Sequence, residues 1–247
     1  MLKKANVLVS SLFLLFLIWV LVAKHYGNDM LIPGPKKVLL AFFGLFSSSD
    51  NLMAIAHSFI RLCVSLGIAY GSAIICAAVS VRFKTVGWFL NPVIIVLRTI
   101  PVISVIVIIL IIAGFTIAPY LITFMIVFPL VYEGIKHALE HIDTDLKDVY
   151  ALEDGRYFRG LFVIFFPLIA PKMRSVLLQS AGLGVKVLVM AEYLSQTNTS
   201  IGNELYLAKI NLAFDDVFAW TICLVLFTVL LEMTVRHMRG YIPKQYR

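Results

Sequence analysis

Six apolar segments, each long enough to cross a membrane as a helix, constrain this chain more than any other feature. A spanning helix needs ~20 mainly apolar residues, and the segments cover residues 7–23, 55–81, 86–113, 117–139, 176–194 and 217–235. Of the 247 residues 61% are hydrophobic and 14% are charged, a balance outside that of ordinary soluble domains. The sequence therefore predicts an all-α, polytopic membrane protein with six transmembrane helices.

The N-terminal part is predicted to form a membrane anchor followed by an outer segment. Lys3 and Lys4 precede the first apolar run as in secretory signals, but Val22-Ala23-Lys24 lacks the small-residue pattern of a cleavage site. A stretch from 38 to 46 is amphipathic and too short to span, so it is expected to lie on the membrane surface. We assign residues 1–54 to this anchor and interfacial segment, residues 55–240 to a membrane core, and residues 241–247 to a cytoplasmic tail.

Positive charge predicts the orientation, because loops on the cytoplasmic side carry an excess of lysine and arginine. With an inner N-terminus, the outer side receives only Lys24, Lys36, Lys37 and Lys209 among the loop cations. Both termini are therefore expected to face the cytoplasm. The net charge of +7 follows from this asymmetry, so it does not indicate a nucleic-acid partner.

A polar loop of about residues 143–160 lies between the fourth and fifth apolar segments, and it is predicted to contain a short helix. Apolar side chains recur there at helical spacing among charged ones, and Gly155 is a residue type that commonly ends a helix. Pro167 and Pro171 follow. They predict a kinked or irregular return of the chain into the membrane, without a single unbroken helix from Leu161 to Ala170.

The third apolar segment contains Asn91-Pro92 and Arg98-Thr99-Ile100-Pro101. Prolines within a lipid-facing helix leave carbonyls without partners unless neighbouring helices or water reach them. This segment is therefore predicted to be bent, to be buried in the bundle and to form part of the wall of a pathway.

The loop and several other segments resemble the membrane subunit of bacterial ABC-type importers, in particular the nitrate/sulfonate/taurine-type permeases. The cytoplasmic signature of these permeases is E-A-A-x-x-x-G followed by I/L-P-x-x-x-P, and it corresponds here to Val149-Tyr150-Ala151-x-x-x-Gly155 and Phe166-Pro167-x-x-x-Pro171. The second alanine, the glycine and both prolines are kept, whereas Val149 and Tyr150 stand in place of the acid and the first alanine. Other matches occur in the family's order: Ser58-x-x-Arg61-x-x-x-x-x-Gly67, Asn91-Pro92, Leu97-Arg98-x-Ile100-Pro101, Gly182-Leu183-Gly184, Ala191-Glu192 and Ile201-Gly202.

The resemblance implies a six-span permease of type I importer architecture in the bacterial cytoplasmic membrane. Its implied partners are a second copy of the same subunit, two cytoplasmic ATP-binding subunits, an extracytoplasmic solute-binding protein and membrane lipid. ATP and magnesium would be bound by the partner ATPase. The chain shows no phosphate-binding glycine loop or serine-nucleophile motif of its own, so no catalytic residue, cofactor site or metal site is expected in it.

In this family the loop helix is the coupling helix, which transmits closure of the ATPase subunits to the membrane helices. Small residues allow close approach to the ATPase surface, and aromatic ones can fill a cleft in it. The implied interface consists of Asp148, Ala151, Leu152, Glu153, Gly155, Arg156 and Tyr157.

Four residues are candidates for the translocation pathway: Arg98, Pro101, Lys186 and Glu192. Ionisable groups within spans are costly and usually face the bundle interior or water. If Lys186 faces a central cavity with Arg98, the positive lining favours a small anion such as a sulfonate or nitrate. Pairing of Lys186 with Glu192, or a helix-pairing or gating role for Arg98 and Glu192, is the alternative, and a thiamine-precursor-like or other heterocyclic nutrient is the alternative solute.

A different class of function is indicated by His137-x-x-Glu140-His141, which fits the inverted zinc-protease pattern of two metal-binding histidines and a glutamate base. This motif would make the chain an intramembrane metal-dependent hydrolase. Its position at the end of an apolar segment, without a supporting acid on a second helix, favours ordinary polar residues near the lipid headgroups. A passive channel or structural membrane protein is the third possibility.

Overall fold

The computed structural model of the protein describes residues 2–28, 31–143 and 157–237, and every regular element in these ranges is helical. The helices are α1 Leu2–Tyr26, α2 Pro35–Leu45, α3 Ser49–Arg82, α4 Lys84–Thr99, α5 Val102–Glu140, α6 Tyr157–Gly160, α7 Phe166–Ser195, α8 Ile201–Ile210 and α9 Phe214–His237. A π-helical turn, Leu161–Phe165, joins α6 to α7. The predicted all-α class is confirmed.

Four helical stretches of the described chain are long and apolar enough to cross a membrane. They are Ser49–Arg82, Val102–Glu140, Val163–Ser195 and Phe214–Val235, and α1 carries a shorter apolar stretch, Phe13–Tyr26. The apolar segments predicted at 7–23, 55–81, 176–194 and 217–235 each fall inside a single helix. The chain is therefore a multi-pass membrane protein.

α5 is divided at Gly114 into two arms, residues 102–113 and residues 115–140. Gly114 has φ +73° and ψ 172°, a conformation that is almost confined to glycine because any other side chain would collide with the backbone. This point lies between the two apolar segments predicted at 86–113 and 117–139, so the break between them is where the sequence pattern places it.

The two arms of α5 fold back on each other at Gly114. The carbonyl of Phe115 accepts a hydrogen bond of 3.0 Å from Thr197 Oγ1, just beyond the end of α7. Ile106 is fully buried in a cluster with Val187, which precedes Thr197 by ten residues (187 to 197), or ~15 Å along a helix. A straight α5 would carry Ile106 beyond the end of α7 and away from Val187, so the first arm returns alongside the second.

The prediction that the third apolar segment is bent is confirmed, and the prediction that it is buried holds for part of the segment, including Ile106 of α5, but not for most of α4. α4 ends at Thr99, and Pro101 takes the N-cap position of α5, where a backbone N–H is not needed. Ile94 of α4 is buried, whereas Trp88 is 75% exposed. Because the break coincides with a helix boundary, Pro101 leaves no mid-helix carbonyl for neighbouring helices to satisfy. Most of α4 lies at the periphery.

The main core lies between α3, the second arm of α5 and α7. Ala69, Ala73 and Ala77 recur every fourth residue along α3 and are fully buried. They share one cluster with Tyr132 and Ile135 of α5. Small side chains on one helix face let two backbones approach closely, which is the main source of packing energy between helices in lipid.

Two tyrosine hydroxyls fasten this core with hydrogen bonds. Tyr132 of α5 donates to Ser80 Oγ of α3 at 2.9 Å. Tyr70 of α3 donates to the backbone carbonyl of Met173 in α7 at 2.5 Å. Both helices that flank α3 are therefore joined to it by a polar contact as well as by apolar packing.

The irregular return predicted around Pro167 takes the form of the π-helical turn Leu161–Phe165. Pro167 is the second residue of α7, which follows directly on this turn. The prediction that Pro171 interrupts the helix is wrong, because α7 continues through it. Pro171 lies only one turn after Pro167, so the single carbonyl that it leaves without a helical donor is in the first turn of α7.

Candidate functional site

A buried carboxylate near the end of α7, that of Glu192, joins two helices that are far apart in the chain. Glu192 is 0% exposed. Arg61 of α3 donates from Nη1 to Glu192 Oε1 at 3.0 Å, and Ser58 Oγ lies 2.9 and 2.8 Å from the two carboxylate oxygens. Ser58 and Arg61 are three residues apart and so share one face of α3. That face presents two donors to one acid of α7.

The first turn of α8 supplies further donors to the same group. The N–H of Gly202 donates to Glu192 Oε2 at 3.3 Å, and the N–H of Ile201 donates to Ser58 Oγ at 3.0 Å. Ser200 occupies the N-cap position of α8. Because a helix N-terminus carries partial positive charge, the carboxylate is stabilised by α8 as well as by Arg61. We refer to Ser58, Arg61, Glu192, Ile201 and Gly202 as the Glu192 cluster.

Gly202 is at this position because no larger residue fits. A Cβ atom added to it would lie 2.4 Å from Glu192 Cβ and 2.4 Å from the backbone nitrogen of Tyr193. The first turn of α8 therefore rests directly on the backbone of α7. This contact explains the Ile201-Gly202 match found in the sequence.

Arg61 also fixes the connection between α7 and α8. Its guanidinium donates to the carbonyl of Thr199 at 3.2 Å and to that of Asn198 at 3.3 Å. Two residues of this connection, Gln196 and Thr199, have left-handed backbone conformations with φ of 48° and 52°. Residues other than glycine hold such conformations only when their surroundings impose them, and Arg61 is part of those surroundings.

The role predicted for Glu192 in the translocation pathway is not visible in the single chain, where the carboxylate has no accessible surface. The geometry instead shows helix pairing, the alternative given for this residue. The carboxylate is held by Arg61 and not by Lys186. A direct contact of Glu192 with solute stays a prediction.

Arg98 of α4 forms an ion pair with Glu133 of the second arm of α5. The two side chains are 56% and 39% exposed, so water can reach both partners. The pair links the peripheral α4 to the core. Pro101, the other pathway candidate in this region, lies three residues after Arg98 and is exposed at the start of α5.

Lys186 lies in a different environment from Arg98. It is exposed in a groove of about 570 Å³ between α7 and α9, and within the described ranges no ion pair is formed by it. The other residues of the groove are Val185, Val189, Met190, Tyr193, Leu205, Thr221, Leu224, Val225, Thr228 and Val229. These residues are mainly apolar, and Lys186 is the one cation among the residues that line the groove.

A second, more polar groove of about 500 Å³ lies at the end of the bundle opposite to α8. Lys136 and Glu140, one turn apart on α5, approach to 3.9 Å in it. It is also lined by Asn91, Glu133, His137, Lys172, Ser175 and Gln179. The α7 residues of this groove are not among the candidates predicted from the sequence. Their spacing of three and four residues (172, 175, 179) is the signal of a polar face on an otherwise apolar helix.

The histidine pair of the hydrolase alternative does not form a metal site. The rings of His137 and His141 stack with centroids 3.9 Å apart and an interplanar angle of 23°. Nitrogen lone pairs lie in the ring planes, so nearly parallel stacked rings do not converge on one ion. His141 Nδ1 also lies 2.8 Å from the carbonyl of His137. Among the residues that the structure describes, no group of three or more histidine, cysteine, aspartate or glutamate side chains could hold a metal.

The predicted coupling interface falls almost entirely outside the described residues. Asp148, Ala151, Leu152, Glu153, Gly155 and Arg156 belong to residues 144–156, and Tyr157 is the first residue of α6. The described ends of α5 and α6 flank this stretch.

Ser58 and Arg61 belong to the sequence matches to the family, but they are not among the candidate site residues predicted from the sequence. Their signal was an arginine three residues from a serine within an apolar segment, which a membrane interior tolerates only when a partner is present. The partner, Glu192, is 131 residues away, and no local pattern connects the two.

The sequence profile described as binding-protein-dependent transport system inner membrane component matches residues 69–245 of the chain. The match includes Glu192, Gly202 and the loop between α5 and α6, and begins after Arg61. No curated protein matches the chain significantly. Together with the apolar spanning helices, the profile shows that this chain belongs to the family of binding-protein-dependent transport system inner membrane components, and that it is a membrane permease subunit of an ABC importer and not an enzyme.

Proposed function

We propose that two copies of this subunit form the membrane pathway of a nitrate/sulfonate/taurine-type importer that carries a small anion inward by alternating access. In this proposal two cytoplasmic subunits bind ATP and magnesium, and an extracytoplasmic protein delivers the solute. The permease chain itself carries no cofactor. Residues 1–54 serve as anchor and outer segment, residues 55–240 as the permease core and residues 241–247 as the tail.

The proposed subunit has six spans. α1, α3, α7 and α9 supply four of them. The other two are α4 together with the first arm of α5, and the second arm of α5, with the turn at Gly114 between them. This division is supported by the backbone at Gly114 and by the burial of Ile106 beside Val187.

The observation that carries the anionic preference is Lys186, an exposed cation without an ion-pair partner in the described chain, on an apolar groove of a spanning helix. A charge at this depth is costly unless it meets water, a counter-ion or a partner molecule. In the proposed dimer Lys186 faces the aqueous pathway and attracts an anionic solute. Arg98 and Pro101 line the same pathway in this proposal, at its α4 wall.

Uptake into proteoliposomes that contain the permease, its ATPase and its binding protein tests this role. Lys186→Met is expected to lower uptake of a radiolabelled sulfonate or nitrate by about tenfold or more, since one charge at close range exceeds the ~1.4 kcal/mol that corresponds to tenfold. Lys186→Arg keeps the charge and is expected to retain uptake, and Lys209→Met on α8 is the matched control. Undiminished anion uptake by Lys186→Met, or uptake of a thiamine-precursor-like or other heterocyclic nutrient in place of the anions, would contradict the proposal.

The proposal places the coupling interface in the loop between α5 and α6, with Asp148, Ala151, Leu152, Glu153, Gly155, Arg156 and Tyr157 as its residues. The support is the profile match across this loop and the position of its flanking helices at the end opposite to α8. In a membrane, this end faces the cytoplasm and the α8 end faces outward, in keeping with the asymmetry of lysine and arginine.

Gly155→Trp tests the coupling interface. The bulky side chain is expected to abolish stable association with the ATPase or to uncouple ATP hydrolysis from uptake, while the permease still inserts in the membrane. Gly71→Trp, in α3 with no atom within 4 Å of an added Cβ, serves as a control for general effects of bulk. Normal assembly and normal uptake by Gly155→Trp would remove this loop from the coupling interface.

A further inference from the structure

We propose that Glu192 is a positioning residue that holds α3, α7 and α8 together as one body, which moves as a unit during transport. This inference rests on the proposed alternating-access cycle. It gives the Glu192 cluster a role in transport, that of holding helices together, which is separate from the roles of the proposed coupling loop and of Lys186, Arg98 and Pro101.

The first support is that the donors to one carboxylate come from two different helices. Arg61 and Ser58 belong to α3, and the N–H of Gly202 belongs to α8, while the acceptor Glu192 belongs to α7. Displacing either α3 or α8 relative to α7 breaks at least one of these hydrogen bonds. The hydrogen bonds of this one side chain therefore depend on the relative positions of α3, α7 and α8.

The second support is burial. Glu192 is 0%, Ser58 is 3% and Arg61 is 7% exposed, so water does not replace a lost partner within the subunit. Separating a buried ion pair leaves a charge unpaired in a medium of low polarity, which is among the most costly changes inside a protein. The helices of this cluster are therefore expected to stay together, and the motions of the cycle to occur at other contacts.

The third support is steric. Gly202 brings the first turn of α8 against the backbone of α7, with no space for even a Cβ atom. On the other side of the connection, Arg61 binds the carbonyls of Asn198 and Thr199. α8 is thereby held to α7 both at its first turn and along the connection that leads to it.

The Arg98–Glu133 pair provides a contrast within the same subunit. Its side chains are 56% and 39% exposed, and water can solvate both charges if they separate. Surface ion pairs of this type contribute little to stability. The Arg98–Glu133 pair can therefore separate at much lower cost than the Arg61–Glu192 pair.

Distances between spin labels in the complete transporter test the proposal. Labels are attached at Met53→Cys on α3 and Ile210→Cys on α8, both exposed positions, after replacement of Cys63, Cys76 and Cys223 by serine. Labelled subunits are diluted with unlabelled ones, so that the distance within one subunit is measured. Between the nucleotide-free and the ATP–vanadate-trapped states we expect this distance to shift by less than ~2 Å, the size of an ordinary helix adjustment. A larger shift overturns the proposal of one moving body.

Glu192→Gln tests the residue itself, because it keeps the shape and removes the charge that Arg61 requires. It is expected to broaden the distribution of α3–α8 distances and to lower ATPase stimulation by the binding protein, in a transporter that still assembles. Glu204→Gln, the same change on α8 outside the cluster, is expected to leave the distribution narrow. If Glu192→Gln also leaves it narrow, or if Glu204→Gln broadens it equally, Glu192 is not the positioning residue.

Undiluted subunits labelled only at Ile210→Cys separate this inference from the proposed function. The distance between the two copies is expected to change on trapping with ATP and vanadate. If it does not change, alternating access by this dimer has failed, and a body that moves as a unit fails with it. If it changes while the distance within the subunit also changes, only the inference about Glu192 fails.

Discussion

Glu192 of α7 and Arg61 of α3 are 131 residues apart in the chain and form an ion pair of 3.0 Å inside the subunit. The pair is completed by Ser58 and by the N-terminus of α8. Three segments that the sequence shows as separate short matches are thus parts of a single contact. The contact also explains why the first residues of α8 include a glycine.

Removal of Arg61 is expected to be strongly destabilising. Arg61→Ala leaves the carboxylate of Glu192 buried without its cation, for which losses of ~3–5 kcal/mol are typical. The paired change Arg61→Leu with Glu192→Leu removes both charges and is expected to destabilise less than Arg61→Ala alone. Unfolding of the detergent-solubilised protein in a denaturant titration measures these losses. If the loss of the double change equals the sum of the losses of Arg61→Leu and Glu192→Leu alone, the two residues are not a coupled pair.

Gly202→Ala is expected to destabilise the junction of α7 and α8. The added Cβ would lie 2.4 Å from the backbone nitrogen of Tyr193, so one of the two helices must shift, at a cost of ~1–3 kcal/mol or more. The melting temperature in detergent measures the loss. Gly182→Ala, on α7 with no atom within 4 Å of the added Cβ, is the matched control and should melt near the wild-type temperature.

Gly114→Ala is expected to weaken the turn between the arms of α5. The residue has φ +73° and ψ 172°, where a side chain adds ~1–3 kcal/mol of strain. Gly71→Ala in α3 lacks both a positive φ and close neighbours, and it is expected to be neutral or slightly stabilising, because alanine is the better helix former. Equal melting temperatures for the two variants would show that the turn at Gly114 is not required.

The acid Glu204 on α8 is expected to make stability depend on pH. Partial burial raises the pKa of the Glu204 carboxyl group, and the negative charge of nearby Asp50 raises the pKa further. A carboxyl group whose pKa is higher in the folded state stabilises the fold while it is protonated, and this contribution is lost as the pH rises through the folded-state pKa. Glu204→Gln should therefore be more stable than the wild type at neutral pH.

The advantage of Glu204→Gln is expected to shrink as the pH is lowered through the raised pKa of Glu204, because the wild-type carboxyl group is then protonated. Melting temperatures of both proteins across this range provide the measurement. Asp50→Asn, made in the wild-type background, should move the titration of Glu204 to lower pH, because it removes one of the two causes of the raised pKa. A stability difference that does not vary with pH would rule out this role for Glu204.

Much of the helical architecture follows from the sequence pattern. The apolar segments coincide with helices, the chain breaks at Pro101, and Gly114 falls between two segments that the pattern separates. The burial of α4 was predicted wrongly because lipid is as apolar as a protein core. Hydropathy alone does not distinguish Trp88 on the surface from Ile94 in the interior.

The candidate site was less accessible to sequence reasoning than the helices. Arg98, Lys186 and Glu192 are predicted as site residues because charge is rare in spanning segments, and the structure gives the three residues different environments. Which of them pairs with which group depends on tertiary packing. Glu192 pairs with Arg61 and not with Lys186, although Lys186 is nearer along the chain, because α3 packs against α7 at this point.

The hydrogen bond from Tyr70 to the carbonyl of Met173 lies two residues after Pro171, close to where α7 begins. A force applied at the start of α7 is therefore transmitted to α3 within the first two turns of α7. α3 and α7 are thus joined at two levels of α7, near its start by Tyr70 and near its end by Arg61, and a displacement of α7 carries α3 with it.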